Sequence, residues 1–189
     1  MENLKEQYKP ELYDKIKDNG YNCAKIVMPE LKKIAPIITV LDVGCGGGSF
    51  LHGCQDLNLI VFGVDGEHVK KSLQIDEKYF KPLNLEEPFD LNLRFDLSVS
   101  MEVAEHLDNK FSDTFIDSIC RHSNNVLFGA AQPKQPGIHH VNCQTLTYWQ
   151  DKFEKRGYML IEEITDWIRK NGAIYNWYRK NLMFFRRVI

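Results

Sequence analysis

Three groups of residues in this 189-residue chain are of types, and at spacings, that do chemistry. The first is Asp42-Val43-Gly44-Cys45-Gly46-Gly47-Gly48, which closes the apolar run Val40-Leu41. Glycine accepts positive φ and has no Cβ to hold a ligand off the backbone. At the carboxyl end of the first strand of an open α/β sheet, such a turn binds nucleotide-like cofactors. Asp65, ending the next apolar run about 20 residues on, can accept hydrogen bonds from both ribose hydroxyls; capping a helix that begins near Glu67 is its plainer use. The second group is Glu102, Glu105 and His106 in S-M-E-V-A-E-H-L. In a helix these stand at about 0°, 300° and 40°, one ~100° arc. Two carboxylates and an imidazole on one face can hold a divalent cation; the bland alternative is a solvated helix face. The third is His139-His140 in G-I-H-H-V-N. A histidine in reach can take a hydroxyl proton, and a bound cation makes that hydroxyl more acidic. His140 is the candidate base or metal ligand and His139 its competitor; otherwise the pair is polar loop surface.

These groups need a frame that delivers them to one edge, and the apolar pattern supplies it. Residues 3 to about 34 read as helical, with a break at D-N-G-Y-N, residues 18–22. Strands are expected near 38–44, 59–65, 79–81, 94–100, 125–131, 158–164 and 181–188. Helices are expected near 48–57, after Glu67, near 111–122 and near 145–156. Alternation of this kind gives a doubly wound α/β sheet, mainly parallel and seven-stranded, with a C-terminal antiparallel hairpin. The length fits one domain, residues 1–189. It divides into a helical segment 1–36, a cofactor-binding core 37–131 and an acceptor-side, sheet-closing segment 132–189. An apolar fraction of 43% and an aromatic fraction of 12% exclude a disordered chain. The net charge of −2 gives no overall basic field to recruit nucleic acid. No run reaches membrane-spanning length and no signal core opens the chain. Five cysteines without a C-x-x-C pair suit a reducing cytoplasm.

The glycine turn discriminates between cofactors. A dinucleotide fingerprint needs a third glycine at position 49, where Ser49 stands. The D-x-G-x-G-x-G that is present resembles motif I of the class I S-adenosylmethionine-dependent methyltransferases, a Rossmann-like fold. That resemblance implies S-adenosylmethionine as cofactor, with Asp42, Gly44, Gly46 and Gly48 around its methionine end and Asp65 on the ribose. It also places Asn84 and Leu85 at the adenine, with Met101 in the same set. Asn84 departs from the family's usual acid there, although its amide oxygen can still accept. E-V-A-E-H resembles a segment of the small-RNA 2′-O-methyltransferases and the ubiquinone-pathway O-methyltransferases. By that resemblance Glu102, Glu105, His106 and a distal histidine, His140 or His139, hold Mg²⁺ or Mn²⁺. A wider set is similar to small methyltransferases associated with surface-glycan assembly: G-V-D-G, A-A-Q-P-x-Q-P-G-x-H-H-V-N-C-Q, Y-W and W-Y-R-K-N. Cys143 stands where that family often has Glu.

The expected activity is O-methyl transfer to a sugar hydroxyl of a glycan or a nucleotide- or lipid-linked sugar. RNA 2′-O or end methylation is the alternative within the enzymes, and a non-catalytic cofactor-binding module the alternative outside them. Among the late aromatics, Tyr148 and Trp149 are the acceptor candidates, because aromatic faces stack on sugars and they closely follow H-H-V-N. Most aromatics are core. Arg169, Lys170, Arg179, Lys180, Arg186 and Arg187 make the tail basic, either to attract a phosphate-bearing acceptor or as a solvated strand edge. The oligomeric state is left open.

Overall fold

The computed structural model describes residues 10–188. Seven strands form one sheet: β1 (Thr39–Val43), β2 (Ile60–Asp65), β3 (Phe80–Pro82), β4 (Leu97–Met101), β5 (Asn125–Gly129), β6 (Tyr158–Leu160) and β7 (Met183–Arg187). Their order is β3-β2-β1-β4-β5-β7-β6. The first five pair in parallel and β7 runs antiparallel to both β5 and β6. This is the mainly parallel, doubly wound sheet with an antiparallel closing hairpin that the sequence predicts. The strand order reverses between β1 and β4, and in such sheets the crevice outside the carboxyl ends at that point takes the ligand.

Each face is buried by helices. Along β1, Val40 joins one core and Leu41 and Val43 the other, as the two-residue period of a strand requires. On the first face lie α1 (Pro10–Ile34), α2 (Ser49–Gln55) and α5 (Glu162–Lys170); α3 (Ser112–His122) and α4 (Leu146–Glu154) cover the second. A last helix, α6 (Asn176–Asn181), leads into β7.

Several local expectations change. The part of the first helix over residues 3–9 lies outside the described residues, but the break at 18–22 does not occur: α1 is continuous through it. Gly20 is there for contact, since a Cβ on it would fall 3.0 Å from Ser49 Oγ and 3.2 Å from the Phe50 nitrogen. Cys23, Ala24, Val27, Met28 and Leu31 form a helical stripe buried on the sheet, and tertiary burial outweighs the low propensity of D-N-G-Y-N. The helix expected after Glu67 is a 3₁₀ turn, Glu67–Ser72. The strand expected over 158–164 ends at Leu160, because Glu162-Glu163 open α5, whose Ile164 and Ile168 are buried. Acids in a first turn suit a helix N-terminus.

Candidate functional site

The turn after β1 is latched to the end of β2. The backbone N–H groups of Gly44 and Cys45 donate to the Val64 carbonyl at 2.8 and 3.2 Å. Gly46 N donates to Asp65 Oδ2 at 2.7 Å and Gly66 N to Oδ1 at 2.6 Å. Gly44 has φ +84°, and a Cβ there would meet Val103 Cγ2 at 2.4 Å. Only glycine permits both the left-handed backbone and the approach of the chain after β4. The turn thus opens a cavity of about 940 Å³ whose walls include Asp42, Gly44, Gly46, Asp65, Asn84, Leu85 and Met101. Gly48 has left-handed backbone, φ +76°, and ends the turn at the start of α2. Asp42 is 3% exposed; burial, then the Asp65 charge, pushes its carboxyl up to about 8. Burial also raises Asp65, against the pull of its two backbone hydrogen bonds. Asn84 is committed to its own turn, accepting from Glu86 N at 3.1 Å and donating to Glu87 Oε1 at 3.1 Å.

The acidic segment after β4 is not an α-helix, so the single-arc geometry expected for it does not apply. Glu102 has left-handed backbone at φ +55°, and Ala104–His106 is one 3₁₀ turn. The two carboxylates diverge. Glu102 Oε1 accepts from Asn181 Nδ2 at 2.7 Å and Oε2 from Gln135 Nε2 at 2.6 Å. Asn181 also donates to Gln135 Oε1 at 2.9 Å and accepts from Gln132 Nε2 at 3.0 Å. Glu102 is therefore the centre of an amide network that ties α6 to the loop after β5. Glu105 is fully buried, and neither of its oxygens has a hydrogen-bond partner. Burial, then the Glu102 charge, pushes its carboxyl up to about 8; the backbone N–H groups of Glu105 and Ala131 moderate that shift without closing a hydrogen bond. Ligand atoms of Glu105, His106 and His140 all lie within 4.8 Å of one another.

The two loop histidines separate. His139 lines the cavity together with His106 and has left-handed backbone, φ +55°. His140 stands behind, with its ring edge-on to His106 at 5.0 Å. His106 Nδ1 lies 3.2 Å from the His139 carbonyl oxygen. Burial, then the His140 charge, lowers His106 to about 4, and burial lowers His140. Both rings are neutral at pH 7, the form that binds metal or accepts a proton.

The acceptor aromatics need correcting. Trp149 is fully buried, 5.2 Å from the Phe128 ring in the core under α4, so it presents no face to an acceptor. Tyr148 is half-buried; its hydroxyl donates to Asn109 Oδ1 and Lys152 lies over its ring. The aromatic at the cavity is Tyr178 of α6. The W-Y-R-K-N run held both it and Asn181, but nothing in the sequence separated wall from core.

A family model described as a methyltransferase domain matches residues 13–180. Cyclopropane-fatty-acyl-phospholipid synthase of Escherichia coli is 30% identical over 95 residues, 49% of this chain. The match covers 25% of that protein's length. Streptomyces venezuelae DesVI superposes with a TM-score of 0.70 at 12% identity, over 94% of this chain and 96% of that one. Magnesium protoporphyrin IX methyltransferase from Synechocystis, solved with bound SAM, gives 0.66 at 13% identity over 91% and 79%. A small RNA methyltransferase gives 0.58 at 21% identity over 86% and 25%. At such identities the structural likeness is one of fold.

Proposed function

The chain belongs to the methyltransferase-domain family, and from that premise we propose that it transfers a methyl group from S-adenosylmethionine to an oxygen, a sugar hydroxyl of a glycan or of a nucleotide- or lipid-linked sugar. The observation that carries this reading is that His106 and His139 line the same cavity as Asp42, Gly44 and Asp65. A cofactor seated on the glycine turn would supply an electrophilic methyl on sulfonium. The remaining work falls to this chain's residues. The turn's backbone and Asp65 hold and orient the donor. Asn84, Leu85 and Met101 bound its adenosine side. A neutral histidine at the cavity removes the acceptor proton as the oxygen attacks, and positioning the two reactants in line supplies much of the acceleration.

The residues also fit a divalent cation. Glu105 offers a buried carboxylate with no other partner, and His106 has its second nitrogen on a backbone carbonyl, as metal-ligating histidines do. Glu105, His106 and His140 would hold the ion, which would make an acceptor hydroxyl more acidic. Glu102, with both oxygens on amides, belongs to the supporting network. Residues 1–189 act as one domain in this reading, 37–131 binding the donor and 132–189 shaping the acceptor side.

The test is calorimetry with S-adenosylmethionine and NAD, followed by labelled-methyl transfer to nucleotide sugars and polysaccharide. His140→Ala is expected to keep cofactor binding and lose turnover; normal turnover removes its role. NAD binding in place of S-adenosylmethionine ends the reading. Methylation of RNA with strongly salt-dependent binding would replace the glycan by RNA. Cofactor binding without turnover on any acceptor would leave a binding module.

A further inference from the structure

His140 lies in the loop between β5 and α4, so no helix or strand fixes its ring and a few contacts must do so. At one end of that loop Gln135 is anchored through its side chain, which donates to Glu102 Oε2 at 2.6 Å and accepts from Asn181 Nδ2 at 2.9 Å. Its carbonyl lies 3.3 Å from His140 Nδ1. At the other end Val141 N and Asn142 N donate to the Glu105 carbonyl at 2.9 and 3.0 Å. Between these anchors Gly137 lies on the cavity wall, with the His140 ring packed against it. A Cβ on Gly137 would fall 2.0 Å from Nε2, 2.2 Å from Cε1 and 2.5 Å from Cδ2 of that ring. Non-bonded carbon atoms settle about 3.5–4.0 Å apart, so a single methyl group would drive the imidazole back by about 1–2 Å. The backbone of Gly137 is not left-handed. Conformation therefore does not demand glycine there; the ring does.

Resting on the reading above, we propose that Gly137 is a positioning residue for the reaction. Its missing side chain is the slot that sets the His140 imidazole edge-on to His106, with its ligand atom within 4.8 Å of those of Glu105 and His106. Gly137 contributes no atom to the chemistry and acts through His140 alone. The two loop anchors leave the ring little freedom to answer a displacement, because Gln135 is tied to Glu102 on one side and Val141 to Glu105 on the other. A retreat of about 1–2 Å therefore opens the group of three side chains instead of being absorbed by the loop. A misplacement of about 1 Å in a positioned catalytic group can cost about 10²-fold in rate.

The test compares wild type, Gly137→Ala, His140→Ala and the double variant, each as the full chain. The first measurement needs neither metal, cofactor nor acceptor. The His140 ring signal, identified in protein with isotope-labelled histidine by its loss in His140→Ala, is expected to move in Gly137→Ala. An unmoved signal means that ring and methyl coexist, and overturns the inference. Should Gly137→Ala unfold more easily, adding His140→Ala is expected to restore the midpoint, since the ring that meets the methyl is gone. A double variant as unstable as Gly137→Ala assigns the glycine to the loop backbone and overturns the inference as well. In labelled-methyl transfer, Gly137→Ala is expected to lower kcat about 10²-fold at unchanged S-adenosylmethionine affinity. The double variant should be no slower than His140→Ala, because both changes act through one ring. Wild-type kcat in Gly137→Ala beside an inactive His140→Ala overturns this inference and leaves the role of His140 standing. Normal turnover in His140→Ala removes both.

Discussion

At the scale of single residues, the site is built from acids whose surroundings set their charge. Asp42 lies under the glycine turn, and its carboxyl sits at about 8 because burial and Asp65 both resist ionisation. Its folded value is above its unfolded one, so its contribution to stability is whole at low pH and lost as pH rises through the folded value. The melting temperature of cofactor-free protein should fall between about pH 4 and about pH 8 more steeply in wild type than in Asp42→Asn. Parallel curves would mean that Asp42 is not protonated at pH 7. Asp65 is raised by burial too, but its carboxyl is held by two short backbone hydrogen bonds that pull against that shift. Asp65→Ala removes both and the expected ribose contacts. Hydrogen bonds to a charged group each contribute about 1.5–3 kcal/mol, so S-adenosylmethionine affinity should drop more than about tenfold by calorimetry. Retained affinity would place the ribose elsewhere.

Elements hold these residues by contacts at their ends and crossings. Where α1 crosses α2, a Cβ on Gly53 would sit 2.8 Å from both Ala24 Cβ and the Tyr21 carbonyl. Backbone there cannot yield as a flexible side chain can, so Gly53→Ala should cost about 1–3 kcal/mol in denaturant unfolding. An unchanged midpoint would mean the helices are free to separate. Asn181, fully buried at the end of α6, is one of two partners of the Glu102 carboxylate. Asn181→Ala leaves a buried acceptor short and should cost about 1–3 kcal/mol, measured in the same way. These features show how far sequence reading reaches. Apolar runs located all seven strands, because a strand buried on both faces, such as β1, is written in consecutive residues. The turn Gly44–Gly48 was legible for the same reason: local backbone demands have local residue solutions. Glu102 and Asn181 are 79 residues apart, and their pairing depends on where a later helix docks. The left-handed backbone at Glu102, which turns its side chain away from Glu105, leaves no trace in residue type. Trp149 was misplaced because a stacking aromatic and a core aromatic have identical chemistry until burial is known.

Across the whole molecule, chemistry and charge occupy opposite ends of the sheet. The glycine turn, Glu102, Glu105 and the loop histidines all follow carboxyl ends of parallel strands. β7 runs the other way, pairing Met183 with Phe128 near that end and Arg186 with Asn125 at the far one. Arg186 donates to the Ile34 carbonyl at 2.7 Å and to Asn125 Oδ1 at 3.1 Å, and Arg187 lies over the Tyr158 ring. Antiparallel topology thus carries the last two arginines of the basic tail away from the cavity and spends them on packing the sheet edge. Arg179 and Lys180 follow Tyr178 on α6 but do not line the cavity: Arg179 borders a separate cleft with Asn19 and Tyr175, and Lys180 lies over the Trp177 ring. The described residues lining the cavity include no lysine or arginine, whereas tracking the phosphates of a polynucleotide would need a basic groove. Acceptor affinity should then fall only shallowly with salt, with a log–log slope no steeper than about −2, whereas a polynucleotide acceptor engaging several phosphates gives a slope near −0.7 for each phosphate on a single strand. Arg187→Gln and Arg179→Gln should both leave that slope and the methylation rate unchanged, since Arg187 packs on the Tyr158 ring and Arg179 borders a separate cleft. A steep slope that depends on Arg187 would reverse the assignment and put the acceptor across the far edge of the sheet.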